Sequence, residues 1–159
     1  MWDVVVIGAG AAGLFFAGVA SRRGLRVKLL DHRAKIGEKI RISGGGRCNF
    51  TNIHTTHHHF LSQNQHFAKS ALAGFTPQDF ITMVEEANIP YHEKKLGQLF
   101  CDHSAEDIIT MLWRLCMRHD VSYDFGHGVS AIEKRSFGFE VVSANSEINA
   151  RNLVVATGG

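Results

Sequence analysis

The order of apolar and polar positions over the first 31 residues predicts a strand, a helix and a second strand. Residues 4–7, VVVI, are an apolar and mostly β-branched run, which is typical of a parallel strand buried on both faces. Residues 11–23 have helical composition and precede Gly24, a favourable residue for ending a helix. A second apolar run, residues 27–30, ends at the carboxylate of Asp31. The pattern is that of a βαβ unit with parallel strands.

Farther along the chain the pattern changes to short helical segments, and we expect a helical insertion over about residues 60–119. The best-defined helix is predicted at residues 77–88, because Thr76 fits the N-cap and Pro77 the first helical position. The other predicted elements are helices at 67–74 and after Ser104 and strands at 98–101 and 121–125.

After residue 128 the period of the pattern changes to two, which predicts a β-meander. Its expected strands are 129–135, 137–143 and 147–150, followed by a return strand at 153–156. Glutathione-reductase-like flavoproteins have such a meander where Rossmann dehydrogenases have a helix, so this feature favours FAD over NAD. The predicted fold is therefore an α/β, Rossmann-like, FAD-binding domain with a mainly parallel sheet, a meander crossover and a helical insertion.

Three glycines at G-x-G-x-x-G spacing follow the first strand. Gly8 allows a tight turn, Gly10 lets the backbone approach a pyrophosphate, and Gly13 lets the helix pack closely on the sheet. The first turn of the helix, with Ala11 and Ala12, offers free N–H groups to phosphates. Asp31 can accept hydrogen bonds from both ribose hydroxyls, and its charge disfavours a 2′-phosphate. The motif predicts an adenine dinucleotide and leaves FAD, NAD and NADP open.

Composition narrows the class of protein. A net charge of +2 gives no reason to expect a nucleic acid or an anionic membrane as partner. Three cysteines without paired spacing indicate a reducing compartment, and no secretory signal precedes the first strand, so we expect a cytoplasmic location. We expect no metal site in the histidine-rich segment, because successive imidazoles of an extended chain point to opposite sides.

The segment SGGGRCNFTN, residues 43–52, has a flexible backbone with many N–H donors, and it can fit closely around a cofactor. A surface linker is the alternative interpretation. Cys48 lies within this segment, and a thiol beside a flavin can relay electrons to a second, nearby cysteine. Because no cysteine follows at short spacing, we expect Cys48 to be a packing residue.

The motifs GAGAAG, GEKIRISGGGRCNFTN, LGQLFCDHSAEDI and LVVATGG follow one another in this order. In that arrangement the sequence resembles the BaiN/YhiN-like family of NAD(P)/FAD-dependent oxidoreductases, whose members are glutathione-reductase-like flavoproteins. The resemblance covers the N-terminal part of the family pattern, so we expect the 159-residue chain to be incomplete after Gly159. Cys101 is a departure, since relatives commonly have proline there.

The resemblance implies FAD as cofactor and NAD(P)H as a possible co-substrate. It also implies a set of cofactor-binding residues: Gly8, Gly10, Ala11, Ala12, Gly13, Asp31, His32, Lys39, Ser43, Gly44, Gly45, Arg47, Cys48, Asn49, Val129, Thr157, Gly158 and Gly159. Of these, Val129 would place its backbone against the adenine, and Arg47 and Asn49 would face polar groups of the flavin.

Two functions remain open at this point. The chain is either the FAD-binding part of an oxidoreductase that reduces a small-molecule substrate with NAD(P)H, or a non-catalytic dinucleotide-binding fragment or remnant of a truncated gene. No catalytic triad or carboxylate pair can be assigned, which does not argue against an enzyme because a flavin itself carries the electron chemistry. The substrate, the catalytic residues and the oligomeric state are not encoded in any recognisable pattern.

Overall fold

The computed structural model describes residues 1–144 and 146–158, and the chain divides into two compact units. Unit 1 consists of Met1–Ile40 and Ile109–Gly159, and unit 2 is Arg41–Ile108. The insertion expected at about 60–119 thus begins and ends earlier. It ends earlier because most of the last helix of that region, from Ile109 onward, belongs to unit 1, where the Cys116 thiol donates to the Leu14 carbonyl oxygen at 3.2 Å.

The elements agree closely with the sequence pattern in unit 1 and less closely in unit 2. In chain order they are β1 (Trp2–Ile7), α1 (Ala11–Arg22), β2 (Val27–Asp31), α2 (Glu38–Ile42), β3 (Asn49–Asn52), α3 (Lys69–Gly74), α4 (Pro77–Glu86), β4 (Tyr91–Glu93), β5 (Gln98–Cys101), α5 (Glu106–Met117), β6 (Ser122–Phe125), β7 (Val129–Arg135), β8 (Gly138–Ser143) and β9 (Ser146–Val155). None of the helices in the described part of the chain is long and apolar enough to cross a membrane.

The sheet of unit 1 has six strands in the order β6-β2-β1-β9-β8-β7. The pairs β6–β2, β2–β1 and β1–β9 are parallel, and β8 joins β9 and β7 in antiparallel pairs. The chain leaves β1 toward β2 and β6 and then returns to the other side of β1 as β9. Open α/β sheets bind ligands at the carboxyl ends of the strands where such a reversal occurs, which here are β1 and β9.

β9 is one strand of ten residues, whereas the sequence pattern predicted two shorter strands at 147–150 and 153–156. Its first half pairs with β8 and its second half with β1. The polar residues between the two apolar runs do not interrupt it, because Asn152 pairs with Val4 and its side-chain amide donates to the Asp3 carbonyl oxygen at 3.0 Å. A polar pair that locally resembles a break is therefore part of the ladder.

Apolar burial holds the meander against the parallel strands. Val5 of β1 is fully buried in a cluster with Val141 of β8 and Ile148 of β9. Burial of a side chain of this size contributes about 1.5–3 kcal/mol. The cluster therefore joins the two meander strands β8 and β9 to β1.

Unit 2 is built on a three-stranded antiparallel sheet in the order β3-β5-β4, of which only β5 was predicted. Helix α4 begins as predicted, with Thr76 as N-cap and Pro77 in the first turn. The Asp79 N–H donates to Thr76 Oγ1 at 3.2 Å, and the Thr76 N–H donates to Asp79 Oδ2 at 2.7 Å. This reciprocal capping box satisfies two donors that a helix start otherwise leaves unpaired.

Candidate dinucleotide-binding site

Gly8 and Gly13 are required by the close packing of the turn after β1. Gly8 has φ of +109°, and a Cβ on it would lie 2.4 Å from the Ala156 carbonyl oxygen. A Cβ on Gly13 would lie 1.8 Å from the Gly8 carbonyl oxygen. Real Cβ atoms do not approach backbone so closely, so these two positions hold β1, α1 and the end of β9 together. The predicted role of Gly13 in close helix packing fits this geometry.

Gly10 is different, because a Cβ there would meet no atom within 4 Å. It is the N-cap of α1, and no side chain caps the helix. The first turn contains no acidic residue, and Ala11 and Ala12 are exposed. The first N–H groups of an α-helix have no partner within the helix and carry its positive dipole end. The space beside Gly10 and these donors together fit a pyrophosphate.

The carboxylate of Asp31 lies at the end of β2 and is mostly buried. Its Oδ2 accepts the backbone N–H of Ala9 at 2.7 Å, and its Oδ1 accepts the backbone N–H of Arg33 at 2.8 Å. A carboxylate has about four acceptor positions, so two such bonds leave capacity for ribose hydroxyls. The ring of His32 lies 3.4 Å from Oδ1 and is largely exposed.

The remaining predicted residues of unit 1 are placed as follows. The Lys39 ammonium lies 3.3 Å from the position of a Cβ on Gly158, which has φ of +71° after β9. Thr157 is exposed beside it. Val129 opens β7 and packs against the apolar cluster of β1, β8 and β9. Gly159 lies outside the described residues. The structure thus brings Gly8, Asp31, Lys39 and Gly158 to the carboxyl ends of the parallel strands.

Unit 2 contains the predicted loop, which forms a 3-10 turn at Ser43–Gly46. Gly44 and Gly45 have φ of +56° and +68°, and a Cβ on Gly44 would lie 2.8 Å from the Phe100 ring. Glycine is therefore needed at Gly44 for both conformation and packing. Arg47 is exposed, and Asn49 begins β3.

The side chain of Asn49 has a local use. In the orientation that satisfies both of its amide atoms, the nitrogen donates to the carbonyl oxygens of Thr51 at 3.0 Å and Leu99 at 3.1 Å. These bonds support the bulged pairing of β3 with β5. Because the amide nitrogen is used in these bonds, the amide oxygen of Asn49 would make the predicted contact with the flavin.

The three cysteines are free and buried. Burial raises the pKa of Cys48, and it raises the pKa of Cys101 to about 12 and that of Cys116 to about 11. Thiols with raised pKa values carry little thiolate at neutral pH, and the thiolate is the reactive form. This fits the expectation that Cys48 is a packing residue.

Sequence reasoning gave no role to Ala9, the residue between the first two motif glycines. Its N–H holds Asp31, and its carbonyl oxygen accepts the N–H of Gly37 at 2.9 Å. Both contacts are made by the backbone of a fully buried residue. No side-chain pattern signals them, so only the folded turn reveals that Ala9 links β2 and the following loop to the glycine motif.

The family is decided by a match over nearly the whole chain. The family model described as the HI0933-like protein Rossmann domain matches residues 2–159. The chain belongs to this family. HI0933-like domains are FAD-binding Rossmann domains of flavin oxidoreductases, so the predicted resemblance and fold class are confirmed.

Two curated enzymes with different activities are similar to this HI0933-like chain. It is 47% identical over 158 residues to the ribosomal RNA dihydrouridine synthase of Escherichia coli K12, covering 99% of this chain and 40% of the relative. It is 27% identical over 158 residues to the 3-dehydro-bile acid delta(4,6)-reductase of Clostridium scindens, covering 97% of this chain and 38% of the relative. The chain therefore spans about two-fifths of the length of these enzymes.

A solved structure with the same fold is the halogenase PltM in complex with phloroglucinol and FAD. It superposes with a TM-score of 0.58 and 20% sequence identity, covering 98% of this chain and 34% of that one. At this identity the likeness concerns the fold alone.

Proposed function

We propose that this chain is the FAD-binding part of a flavin-dependent reductase that converts uridine in ribosomal RNA to dihydrouridine, with NAD(P)H as electron donor. The observation that carries the proposal is the 47% identity to a ribosomal RNA dihydrouridine synthase along 99% of this chain. The expectation that nucleic acid is not a partner rested on net charge, and that of a small-molecule substrate on the family resemblance. The proposal departs from both because of this identity.

The residues assigned to the cofactor are those at the carboxyl ends of β1, β2 and β9. The N–H groups of α1 beside Gly10 would bind the pyrophosphate, Asp31 the adenosine ribose, and Lys39 would add a positive charge near the phosphates. Ser43, Arg47 and Cys48 of unit 2 are assigned to the flavin on the family resemblance. The flavin, when bound, supplies the hydride chemistry.

Dihydrouridine differs from uridine by two hydrogens on a carbon–carbon bond conjugated to a carbonyl group. Its formation from uridine therefore requires a hydride and a proton. A reductase named for a bile acid delta(4,6) double bond fits the same class of bond change. The protein's task in such a reaction is to orient the cofactor, exclude water and bind the substrate.

The second candidate is a reductase of a small conjugated carbonyl compound. It is favoured by the 27% identity to the bile acid reductase, which extends over 158 residues. The higher identity to the RNA-directed enzyme places this candidate second. The cytoplasmic location expected from the sequence stays a prediction under either proposal.

A chimera tests the choice directly. Residues 1–159 replace the matching segment of the Escherichia coli relative, and the chimera is expressed in cells lacking that enzyme. We expect dihydrouridine in the ribosomal RNA by mass spectrometry, and none when the chimera carries Gly10→Val. A chimera that purifies with stoichiometric flavin but forms no dihydrouridine contradicts the RNA-directed proposal. Anaerobic bleaching of its flavin by NADH or NADPH identifies the electron donor.

A further inference from the structure

The net charge of +2 conceals an uneven distribution. Residues 14–30 and 110–123 together contain six lysines and arginines and a single acid, Asp120. These two segments carry a formal charge of +5, so the other residues of the chain carry −3. Both segments belong to unit 1.

The fold brings these two segments together at one end of the unit. The Ser21 hydroxyl at the end of α1 donates to the His119 carbonyl oxygen, just after α5. One turn earlier, a Cβ on Gly18 would lie 2.6 Å from the Leu115 side chain, so the two helices are in close contact. The C-terminal ends of α1 and α5 therefore lie side by side, with Arg22, Arg23, Arg114 and Arg118 around them.

These four arginines differ from most others in the protein. Arg26, Arg33, Arg41, Arg135 and Arg151 each pair with a carboxylate. Among the residues that the structure describes, no carboxylate pairs with Arg22, Arg23, Arg114 or Arg118, and all four are exposed. A cation in the last turn stabilises a helix through its dipole, which accounts for one such residue per helix. It does not account for four.

Two aromatic residues, Trp113 and Tyr123, lie in the same segment of the chain as Arg114 and Arg118. Trp113 precedes Arg114 on α5, and its ring contacts Tyr123 on the edge strand β6 at 5.1 Å between centroids. Tyr123 stacks on Phe125 at 5.0 Å and 26°, and it remains 51% exposed. The Lys28 ammonium donates to the Tyr123 carbonyl oxygen at 3.2 Å. A half-exposed ring held in a fixed stack is a surface on which an unpaired base can stack.

We propose that these residues, Arg22, Arg23, Arg114, Arg118 and Tyr123, form a basic surface that binds a single-stranded segment of ribosomal RNA. The arginines contact phosphates and Tyr123 stacks on an unpaired base. This inference rests on the proposed RNA-directed function. The basic surface lies at the helix C-termini, at the opposite end of the parallel strands from Gly8 and Asp31. It therefore anchors a large substrate away from the cofactor.

The test measures RNA affinity of the 159-residue chain by fluorescence anisotropy. The probe is a labelled, unstructured RNA of about 20 nucleotides, titrated between about 50 and 200 mM salt. In Arg22→Gln/Arg118→Gln we expect the slope of log affinity against log salt to decrease by about 1.4, since each phosphate contact on a single strand contributes about 0.7. Tyr123→Leu should weaken binding, and Tyr123→Phe should not.

The matched control is Lys134→Gln/Arg135→Gln, which removes the same charge from β7. Its salt slope should equal that of the unchanged protein. Equal slopes in the two double variants, or tighter binding of anionic vesicles than of RNA, overturn the inference. The inference is also overturned if duplex and single-stranded RNA bind with equal affinity and Tyr123→Leu leaves the RNA affinity unchanged.

Failure of the surface and failure of the function are distinguished in the chimera described above. If Arg22→Gln/Arg118→Gln leaves RNA affinity unchanged while the chimera forms dihydrouridine, the surface is wrong and the function stands. If the chimera binds RNA through these residues but forms no dihydrouridine, the surface stands as an RNA-binding site and the reaction is wrong. FAD titration and thermal unfolding of the double variant, both expected to be unchanged, establish that it is folded.

Discussion

The carboxylate of Asp31 accepts a hydrogen bond from the backbone N–H of Ala9 at 2.7 Å. The two residues are 22 positions apart, and their bond joins the end of β2 to the glycine turn after β1. The acid at this position therefore has two tasks in one side chain. It fixes the turn that would hold a pyrophosphate, and it presents acceptor positions to a ribose.

The first prediction separates these tasks. Asp31→Asn has one oxygen where the carboxylate has two, so it cannot accept from both Ala9 and Arg33 and also bind a ribose. We expect FAD affinity, measured by fluorescence quenching, to fall about tenfold or more, which corresponds to about 1.4 kcal/mol. We also expect the unchanged protein to prefer ADP-ribose over its 2′-phosphate, and the Asp31→Asn variant to lose that preference.

Asp3→Asn is the matched control, because Asp3 Oδ2 also accepts a backbone N–H, that of Arg26 at 2.9 Å, but at the other end of the strands. It should leave FAD affinity unchanged. Tighter binding of the 2′-phosphorylated ligand by the unchanged protein would overturn the assignment of Asp31.

The second prediction concerns the open space beside Gly10. Gly10→Val should fold normally, since a Cβ there meets no atom within 4 Å, but its methyl groups would occupy the space assigned to the phosphates. We expect an unchanged unfolding midpoint and no measurable FAD binding. Gly74→Val is the control, because Gly74 is equally unobstructed and lies in α3. A flavin-binding Gly10→Val protein would show that the pyrophosphate lies elsewhere.

The glycine motif and its acid could be predicted from sequence because each signal is local. A buried apolar run, a turn glycine and a helix stop can each be recognised from a few adjacent residues, and Gly24 ends α1 with φ of +86° as expected. The single strand β9 was not predicted, because Asn152 is stabilised by Asp3, a partner at the other end of the chain. A local pattern reports only local preferences, and the ladder with β1 is not local.

The surface arginines were missed for a related reason. Net charge is a sum over the chain, and it does not record that α1 and α5 bring their arginine-bearing C-terminal ends together. The SGGGRCN loop was recognised by resemblance, yet its strand β3 was not predicted, because the strand has only four residues between a turn and the next loop. These four residues form a strand because they pair with β5.

A third prediction follows from the buried thiols. Burial raises the pKa of Cys101 to about 12, above the value of a thiol in the unfolded chain. Between these two values the unfolded state releases a proton that the folded state keeps, so the contribution of Cys101 to stability is present below the unfolded pKa and is lost as pH rises. We therefore expect the free energy of unfolding, measured with urea, to fall less between about pH 8 and 10.5 in the Cys101→Ser variant than in the unchanged protein. An equal loss of unfolding free energy in the two proteins would contradict the raised pKa of Cys101.

A fourth prediction concerns Cys48 in the flavin reaction. Its thiol is buried with a raised pKa, so it should not carry electrons. In the chimera, Cys48→Ser should leave the rate of flavin reduction by NAD(P)H within about tenfold, or about 1.4 kcal/mol of barrier. A loss of several orders of magnitude, with flavin still bound, would show that the thiol takes part in the chemistry.

The last prediction concerns how much of the flavin site these 159 residues provide. The matching segment is 40% of the length of the Escherichia coli relative, so more than half of that relative lies outside the match. Unit 1 offers donors for the pyrophosphate and an acceptor for the ribose, but nothing in it is assigned to cover the flavin ring. We therefore expect the 159-residue chain to bind FAD weakly and reversibly and to oxidise NAD(P)H slowly. The chimera with the relative's remaining sequence should bind FAD stoichiometrically. Fluorescence titration and NAD(P)H oxidation of the two proteins, side by side, measure the difference. Tight flavin binding by the 159-residue chain, with turnover of roughly 1 per second or more, would mean that its own residues complete the site.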